Sequence, residues 1–353
     1  MKIKKIIHLL LCLSVIHNIS TAQTDSIVKA KILDDGSQDA EKFYNKGIAS
    51  FAAKNFKGAL SDFDSAITAK PDFEKAYYNR GTTKFEMKDY KGAIADFDKS
   101  LLLIQNPDSY FSRGQAKYAL ADKTGASADY SKAIEVKSDY AQAYYYRGGI
   151  KFENADYKGA IDDFTQAVRI KPDYAYAYND RGSAKRQIED VDGAIADYNK
   201  ALAANPKMDF TYNNIASAKR KKGDFKGAIK DYTEAIKLKA NYYIAYNNRG
   251  SAKYDAGDYQ GAVEDFTKAI ELKSDYAYAF NNRASAKFKL KDYKGSSDDC
   301  TKAIQLNANY GYSYLNRGIA KEMLRDNSGA CSDWKKALEL GVESAKNYIG
   351  DCQ

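Results

Sequence analysis

Residues 172–182 read PDYAYAYNDRG, and the large side chains of Tyr174, Tyr176 and Tyr178 are separated by single alanines. Taken alone, a period of two predicts a half-buried strand. The rest of the chain overrules that reading. Close variants of the string, KPDFEKAYYNRG, KSDYAQAYYYRG and KSDYAYAFNNRA, recur in register, each leading into a segment with small and aromatic residues at helical spacing. Aligned on these strings the chain has a period of 34, with units starting at residues 40, 74, 107, 141, 175, 209, 243, 277 and 311, and only the second unit is 33 residues long.

Within a unit, position 8 is Gly or Ala, position 20 is Ala in all but the eighth copy and position 27 is Ala in all but the second. Aromatics stand at position 24 in all but the eighth copy, and at 17 in most. Small residues allow two helices to cross closely, and aromatics fill the volume beside them. The pattern therefore predicts an all-α fold of stacked helical hairpins, none of which buries its apolar face alone.

Such a unit resembles the tetratricopeptide repeat, or TPR, whose 34 residues form a helix, a turn and a second helix. The seventh copy, AYNNRGSAKYDAGDYQGAVEDFTKAIELK, shows the likeness best, and Pro71, Pro172 and Pro206 at position 32 match the family's helix stop. The resemblance covers residues 40–344 and implies a right-handed superhelical solenoid. Residues 345–353 look like a capping helix over the last unit, with Tyr348 at the place of a position-4 aromatic.

The chain departs from the family at position 7, where eight of nine copies carry Lys or Arg, and at position 11, where eight carry Lys. Position 23 is Asp in all nine. One helical turn separates 7 from 11, and 23 lies beside the packing positions of the second helix, so a ladder of ion pairs is expected, among them Arg147 with Asp163, Arg181 with Asp197 and Arg249 with Asp265. A carboxylate needed nine times over is expected to set helix register rather than to catalyse.

In the family the first helices line a concave groove, which positions 2, 5, 6, 9, 12 and 13 face. Position 5 is aromatic in units one to four, including Tyr78 and Tyr145, and Asn in units five to eight, including Asn179. Position 2 is polar in the first four units and apolar or aromatic from Tyr176 onward. The groove is therefore expected to have two halves of different character. Asn79, Asn214, Asn248 and Asn282 stand at position 6. They either hold the backbone of an extended peptide, as in peptide-binding family members, or merely space helices. Position 12 is aromatic in six units, with Phe85, Phe152 and Tyr254 among them, but Arg186 and Arg220 occupy it in units five and six. With Lys221 they form a basic spot that either meets an acidic ligand segment or is a solvated helix end. The lysine that chaperone-tail-binding members carry at position 5 is absent.

The first 22 residues have Lys2, Lys4 and Lys5, an apolar run from Ile6 to Ile16 and the small-residue end Ser20-Thr21-Ala22. This is the layout of a secretory signal peptide with cleavage after Ala22; about eleven apolar residues fall short of the roughly 20 that span a bilayer. Periplasmic or secreted localisation follows, with residues 23–39 as a flexible leader and no membrane span after cleavage. Removing three lysines from the 55 basic side chains leaves 52 against 47 acidic ones, a net +5, and takes away both histidines, His8 and His17.

That loss excludes a nucleophile backed by histidine and any His-ligated metal. The sequence also lacks a GxxxxGK[ST] loop and a GxGxxG turn, so no enzyme activity and no cofactor or metal is expected. Dispersed charge argues against nucleic acid. Three cysteines remain, and antiparallel helices bring Cys331 near Cys352, so these two are expected to bridge in an oxidising compartment, leaving Cys300 buried. The leading expectation is a scaffold that binds a protein or peptide partner. The alternative is an envelope glycan or peptidoglycan binder that uses some of the 30 tyrosines for stacking.

Overall fold

A computed structural model describes residues 38–350 and residue 352. The signal segment and all but the end of the leader lie outside the described residues. Among those described the regular structure is helical throughout. The chain divides into two compact units, Met1–Ala177 and Tyr178–Gln353, with the division inside one helix.

In the first unit the helices are α1 (Gln38–Ala52) and α2 (Phe56–Ala69), α3 (Glu74–Glu86) and α4 (Tyr90–Leu103), α5 (Pro107–Ala119) and α6 (Lys123–Val136), and α7 (Ala141–Glu153) and α8 (Tyr157–Ile170). Helix α9 (Ala175–Gln187) follows. The second unit continues with α10 (Val191–Ala204), α11 (Asp209–Lys221) and α12 (Phe225–Leu238), α13 (Tyr243–Asp255) and α14 (Tyr259–Leu272), α15 (Ala277–Lys289) and α16 (Tyr293–Leu306), and α17 (Gly311–Met323) and α18 (Asn327–Glu339). From α3 onward each first helix begins at the residue where a sequence repeat begins. The chain closes with a 3-10 turn (Glu343–Ala345) and the single-turn α19 (Lys346–Ile349), shorter than a full capping helix over 345–353.

Each hairpin turns in the same way. Position 15 takes a left-handed backbone, and it is a non-glycine at Lys54, Lys88, Ala121, Ala155, Glu189, Lys291 and Arg325, but Gly223 and Gly257 in two repeats. The next residue caps the second helix: the Asp156 carboxylate, for example, accepts from the Gly159 amide at 3.0 Å. This satisfies one of the N-terminal amides that no helical carbonyl reaches. Glycine is needed three residues after the cap, because a Cβ at Gly92 would stand 2.1 Å from the Asp89 carboxylate.

The core is the close crossing that the small residues foretell. Ala59, Ala93, Ala160 and their equivalents at position 20 are fully buried, as are the rings of Phe63, Phe97, Phe164 and Phe266 at position 24. A Cβ at Gly148 would come within 2.9 Å of the Phe164 ring, which fixes glycine at position 8 there.

The 33-residue repeat shows what changes when the period slips. Ser100 replaces alanine at position 27, and its hydroxyl lies 2.7 Å from both the buried Glu74 carboxylate and the Ser109 hydroxyl. Asn106 reaches Glu74 at 3.4 Å and also caps α5 by accepting from the Asp108 amide. A polar cluster thus fills the shortened joint, while Leu102, Leu103 and Ile104 at the end of α4 are left exposed.

Candidate functional site: the face of the first helices

The recurrent charges form triads. In repeats two to five and seven to nine the position-7 guanidinium grips Asp at 23 with two bonds, Nε to Oδ2 at 2.8–3.0 Å and NH2 to Oδ1 at 2.5–2.7 Å. Lys at 11 adds a third contact to Oδ2 at 2.8–3.0 Å. Arg147–Asp163, Arg181–Asp197 and Arg249–Asp265 are three of these pairs, with carboxylates 2–5 % exposed. A bidentate pair in this setting fixes geometry as well as energy.

The sequence did not reveal the guanidinium's other arm. Arg113 NH1 reaches Asp98 at 2.6 Å, Arg147 NH1 reaches the Ser131 hydroxyl, and Arg249, Arg283 and Arg317 reach Thr233, Thr267 and Thr301. Each of these partners belongs to the second helix of the preceding repeat. The arginine therefore joins repeats as well as holding its own hairpin. Its other neighbour is the ring at position 4, which lies 5.3–5.6 Å from the guanidinium carbon at Tyr77, Tyr110, Tyr144, Tyr178, Tyr246, Phe280 and Tyr314. Those rings cover the cation and also pack on the core, where Phe280 is buried with Ala277 and Ala303.

Position 5 is not on an open groove, which corrects the expectation for Tyr78, Tyr145 and Asn179. Tyr145 is 3 % exposed, with its ring centroid 5.8 Å from Phe164 and 4.9 Å from Tyr174. Tyr78 is half-buried, 5.8 Å from Phe97. Asn179 is 4 % exposed. The side chain at 5 points at the next hairpin, because the second helix of its own repeat and the first helix of the following one both close over it.

The asparagines at 6 are bound to those at 5. The amide of Asn214 donates to Asn179 Oδ1 at 3.1 Å, Asn248 to Asn213, Asn282 to Asn247 and Asn316 to Asn281, the last three at 3.0 Å. Thr211 and Ser313 donate to the same acceptors in Asn179 and Asn281. In the first unit Asn79 does the equivalent by donating to the Tyr44 hydroxyl at 3.0 Å. Burial pushes that phenol's pKa up to about 12. The two kinds of half seen in the sequence are thus two kinds of joint, one aromatic and one amide.

Phe85, Phe152 and Tyr254 at position 12 pack edge-on against the rings of Tyr90, Tyr157 and Tyr259 in their own repeats, at 5.2–5.4 Å. Tyr176 is half-buried. The basic spot is only partly free. Arg220 Nε donates to Asp255 at 2.6 Å, and Lys221 pairs with Glu189, whereas Arg186 meets no carboxylate among the described residues.

Comparison with known proteins decides the family. A profile described as "TPR repeat" matches residues 216–257 and 250–291, and two described as "Tetratricopeptide repeat" match 111–175 with 150–209, and 74–107. The chain belongs to the tetratricopeptide repeat family. Among solved structures, this TPR protein is similar to a tetratricopeptide repeat protein from Parabacteroides merdae, with 17% identity, 69% of this chain and 98% of that one covered, and a TM-score of 0.57. It is also similar to Pseudomonas aeruginosa PilF, with 18% identity, coverage of 60% and 97%, and a TM-score of 0.53. At such identities the likeness concerns the fold alone. No curated protein sequence matches this TPR chain.

The TPR array ends in a covalent staple. Cys331 on α18 and Cys352 are joined, with Cα atoms 5.5 Å apart, and Tyr348 stacks on Trp334 at 5.2 Å. Cys300 is free and buried, and burial drives its thiol pKa well up, so it stays protonated. Among the described residues no helix is long and apolar enough to cross a membrane, and no group of three His, Cys, Asp or Glu is placed to hold a metal ion.

Proposed function

We propose that this protein is an exported, non-catalytic TPR scaffold that holds a protein or peptide partner along the face of its first helices. The observation that carries this reading is the division between what repeats and what varies. The recurrent polar groups at 5, 6, 7, 11 and 23 are spent on joining helices and repeats. Position 13, on the same first helices, runs Glu86, Ala119, Gln187, Lys221, Asp255, Lys289 and Met323, apart from Glu153, whose covered carboxylate is held by Tyr118 and Lys123, and position 2 changes from Lys75 and Asp108 to Tyr278 and Tyr312. A constant skeleton that presents a changing surface is what selective contact with one extended partner requires. Export is supported by the N-terminal signal pattern and by the Cys331–Cys352 bridge, a bond that persists in oxidising compartments.

The test is retention of envelope proteins on the immobilised chain 23–353, compared with a variant carrying Glu86→Lys and Lys289→Glu. The reading expects a protein retained by the wild type and lost from the variant. If nothing is retained, the scaffold reading falls. N-terminal sequencing of the product from cells should begin at Gln23.

A second reading has its own observation. In the second unit Tyr243, Tyr276, Tyr278, Tyr310 and Tyr312 form a file with successive ring centroids 5.1, 5.8, 4.9 and 6.3 Å apart, and Tyr312 is exposed. Aromatic faces with hydroxyl edges suit a glycan. Retention of polysaccharide without any protein, lost on Tyr312→Ser, would replace the first reading by this one.

A further inference from the structure

The 33-residue repeat also breaks the charge pattern at its joint. Ser100 to Pro107 read SLLLIQNP, a stretch without a charge. The corresponding joints between the other repeats carry Lys or Asn at position 31, and Thr, Glu, Arg, Ala, Lys or Gln at 29. Here position 29 is Leu102 and position 31 is Ile104, 77 % and 56 % exposed. Leu103 at position 30 is 41 % exposed, and Val136 at the same position of the next repeat is 46 % exposed.

The residues on either side of these apolar side chains are braced. Ser100 and Asn106 both bond to Glu74, and the Ile104 amide closes on the Ser100 carbonyl at 2.9 Å. Gln105 Nε2 donates to the Leu101 carbonyl at 3.0 Å, and Tyr110 donates its hydroxyl to Gln105. Turning the three side chains inward would break these bonds, so the backbone holds them out. Leu102, on the last turn of α4, projects from the surface instead of lining a depression. Neither the cavity of about 270 Å³ beside Tyr232 nor that of about 420 Å³ beside Phe43 is lined by any of the four.

An exposed apolar patch rimmed by polar groups marks contact with a protein or a membrane. Four such side chains supply on the order of a few hundred Å². That is well short of the roughly 800 Å² that each partner contributes to a stable interface, so a second copy of this chain would not be held by it. A projecting knuckle also offers no pocket for the anchor side chain of a peptide. A bilayer needs no matching shape, because its interface yields to an apolar side chain while neighbouring lysines reach the headgroups. Lys99 precedes the patch on α4, and Lys137 has in the next repeat the place that Ile104 has in this one. Both are exposed and neither meets a carboxylate among the described residues, although Lys137 lies 5.1 Å from the centre of the Tyr140 ring.

We propose that this joint is a contact with an anionic phospholipid surface, in which Leu102, Leu103 and Ile104 enter the headgroup boundary and Lys99 and Lys137 lie against the lipid phosphates. The contact uses the end of a second helix and no residue of the face assigned to a partner. It therefore goes beyond the scaffold reading and does not depend on it.

The probe is a vesicle of phosphatidylcholine and phosphatidylglycerol in a ratio of about 2 to 1, sedimented with the chain 23–353 at low salt. The wild type should sediment with these vesicles and several-fold less with phosphatidylcholine alone. Leu102→Ser with Ile104→Ser should weaken partition about tenfold or more, and Lys99→Gln with Lys137→Gln several-fold. Leu290→Ser, which removes a 43 % exposed leucine from another repeat, should change it less than twofold. All these side chains are exposed, and helical circular dichroism monitors the fold of each variant. Ile104→Trp adds one indole to the buried Trp334, and its emission should shift to the blue when anionic vesicles are added. A wild type that stays in solution overturns the proposal, as does binding that survives the double serine change. Self-association of the wild type that the double serine variant lacks would assign the patch to a second copy and overturn the lipid contact. Retention of an envelope protein that needs Leu102 and Ile104, without vesicle binding, would overturn it in favour of a protein.

Discussion

At the scale of single residues, the same position solves the same local problem in every repeat, and the quality of the solution varies. Asp163 is nearly buried beneath Arg147 and Lys151, so removing its charge leaves two cations facing an uncharged amide. Asp163→Asn should destabilise the hairpin α7–α8 by about 3 kcal/mol, as breaking one side of a buried ion pair does. Hydrogen exchange of α8 amides checks this, and unchanged protection would deny the triad its structural role. Position 15 is a weaker solution. Lys88 sits at φ 65, a backbone that costs an L-residue about 1–2 kcal/mol, less the entropy that glycine loses on folding. Lys88→Gly should therefore raise stability by about 0.5–1 kcal/mol, read as an upward shift in the denaturant midpoint.

At the scale of elements, the sequence made the hairpin legible because its packing is written in residue size. Gly or Ala at 8, Ala at 20 and an aromatic at 24 meet one another within a single repeat, although the ring at 24 also packs on the next, as Phe97 does with Ala116 and Phe266 with Ala286. Joints between repeats were harder to read. Asn at 5 and Asn at 6 lie 35 residues apart across a joint, and no local pattern distinguishes a side chain aimed at a ligand from one aimed at the next hairpin. For the same reason the third contact of the position-7 arginine was invisible, and the basic spot looked freer than it is until Asp255 and Glu189 came alongside. A double-mutant cycle tests the joint: Asn247→Leu should cost about 1–3 kcal/mol, since it strands the Asn282 amide. Adding Asn282→Leu should cost less than its own single change. Simple additivity would show that the bond contributes nothing to the joint.

At the scale of the whole molecule, two bulk treatments report on features built into many places at once. Tyr44, Tyr276 and Tyr310 have phenols pushed up to about 12 by burial, from an ordinary value near 10. A raised pKa means that the fold binds the proton more tightly than the unfolded chain does. Their contribution is therefore complete below pH 10 and is lost as pH rises from 10 through 12. Phenolate absorbance should climb steeply together with loss of helical circular dichroism in that interval. Smooth ionisation near pH 10 with helices intact would contradict the burial. Reduction is the second treatment. Opening Cys331–Cys352, which are 21 residues apart, should destabilise α17, α18 and the terminal turns by about 3 kcal/mol and leave α11 to α14 protected in hydrogen exchange.

The amide joint also bears on how such a chain grows. A repeat from the stretch 209–310 brings Asn at 5 to receive the next copy and Asn at 6 to grasp the previous one, so both halves of the fastening travel in one 34-residue segment. Duplicating or deleting such a segment restores the Asn–Asn bond across the new junction without a second mutation. Length in this stretch is therefore freely heritable in whole steps, whereas the 33-residue repeat, whose joint depends on Glu74, Ser100, Asn106 and Ser109 together, is tied to its place.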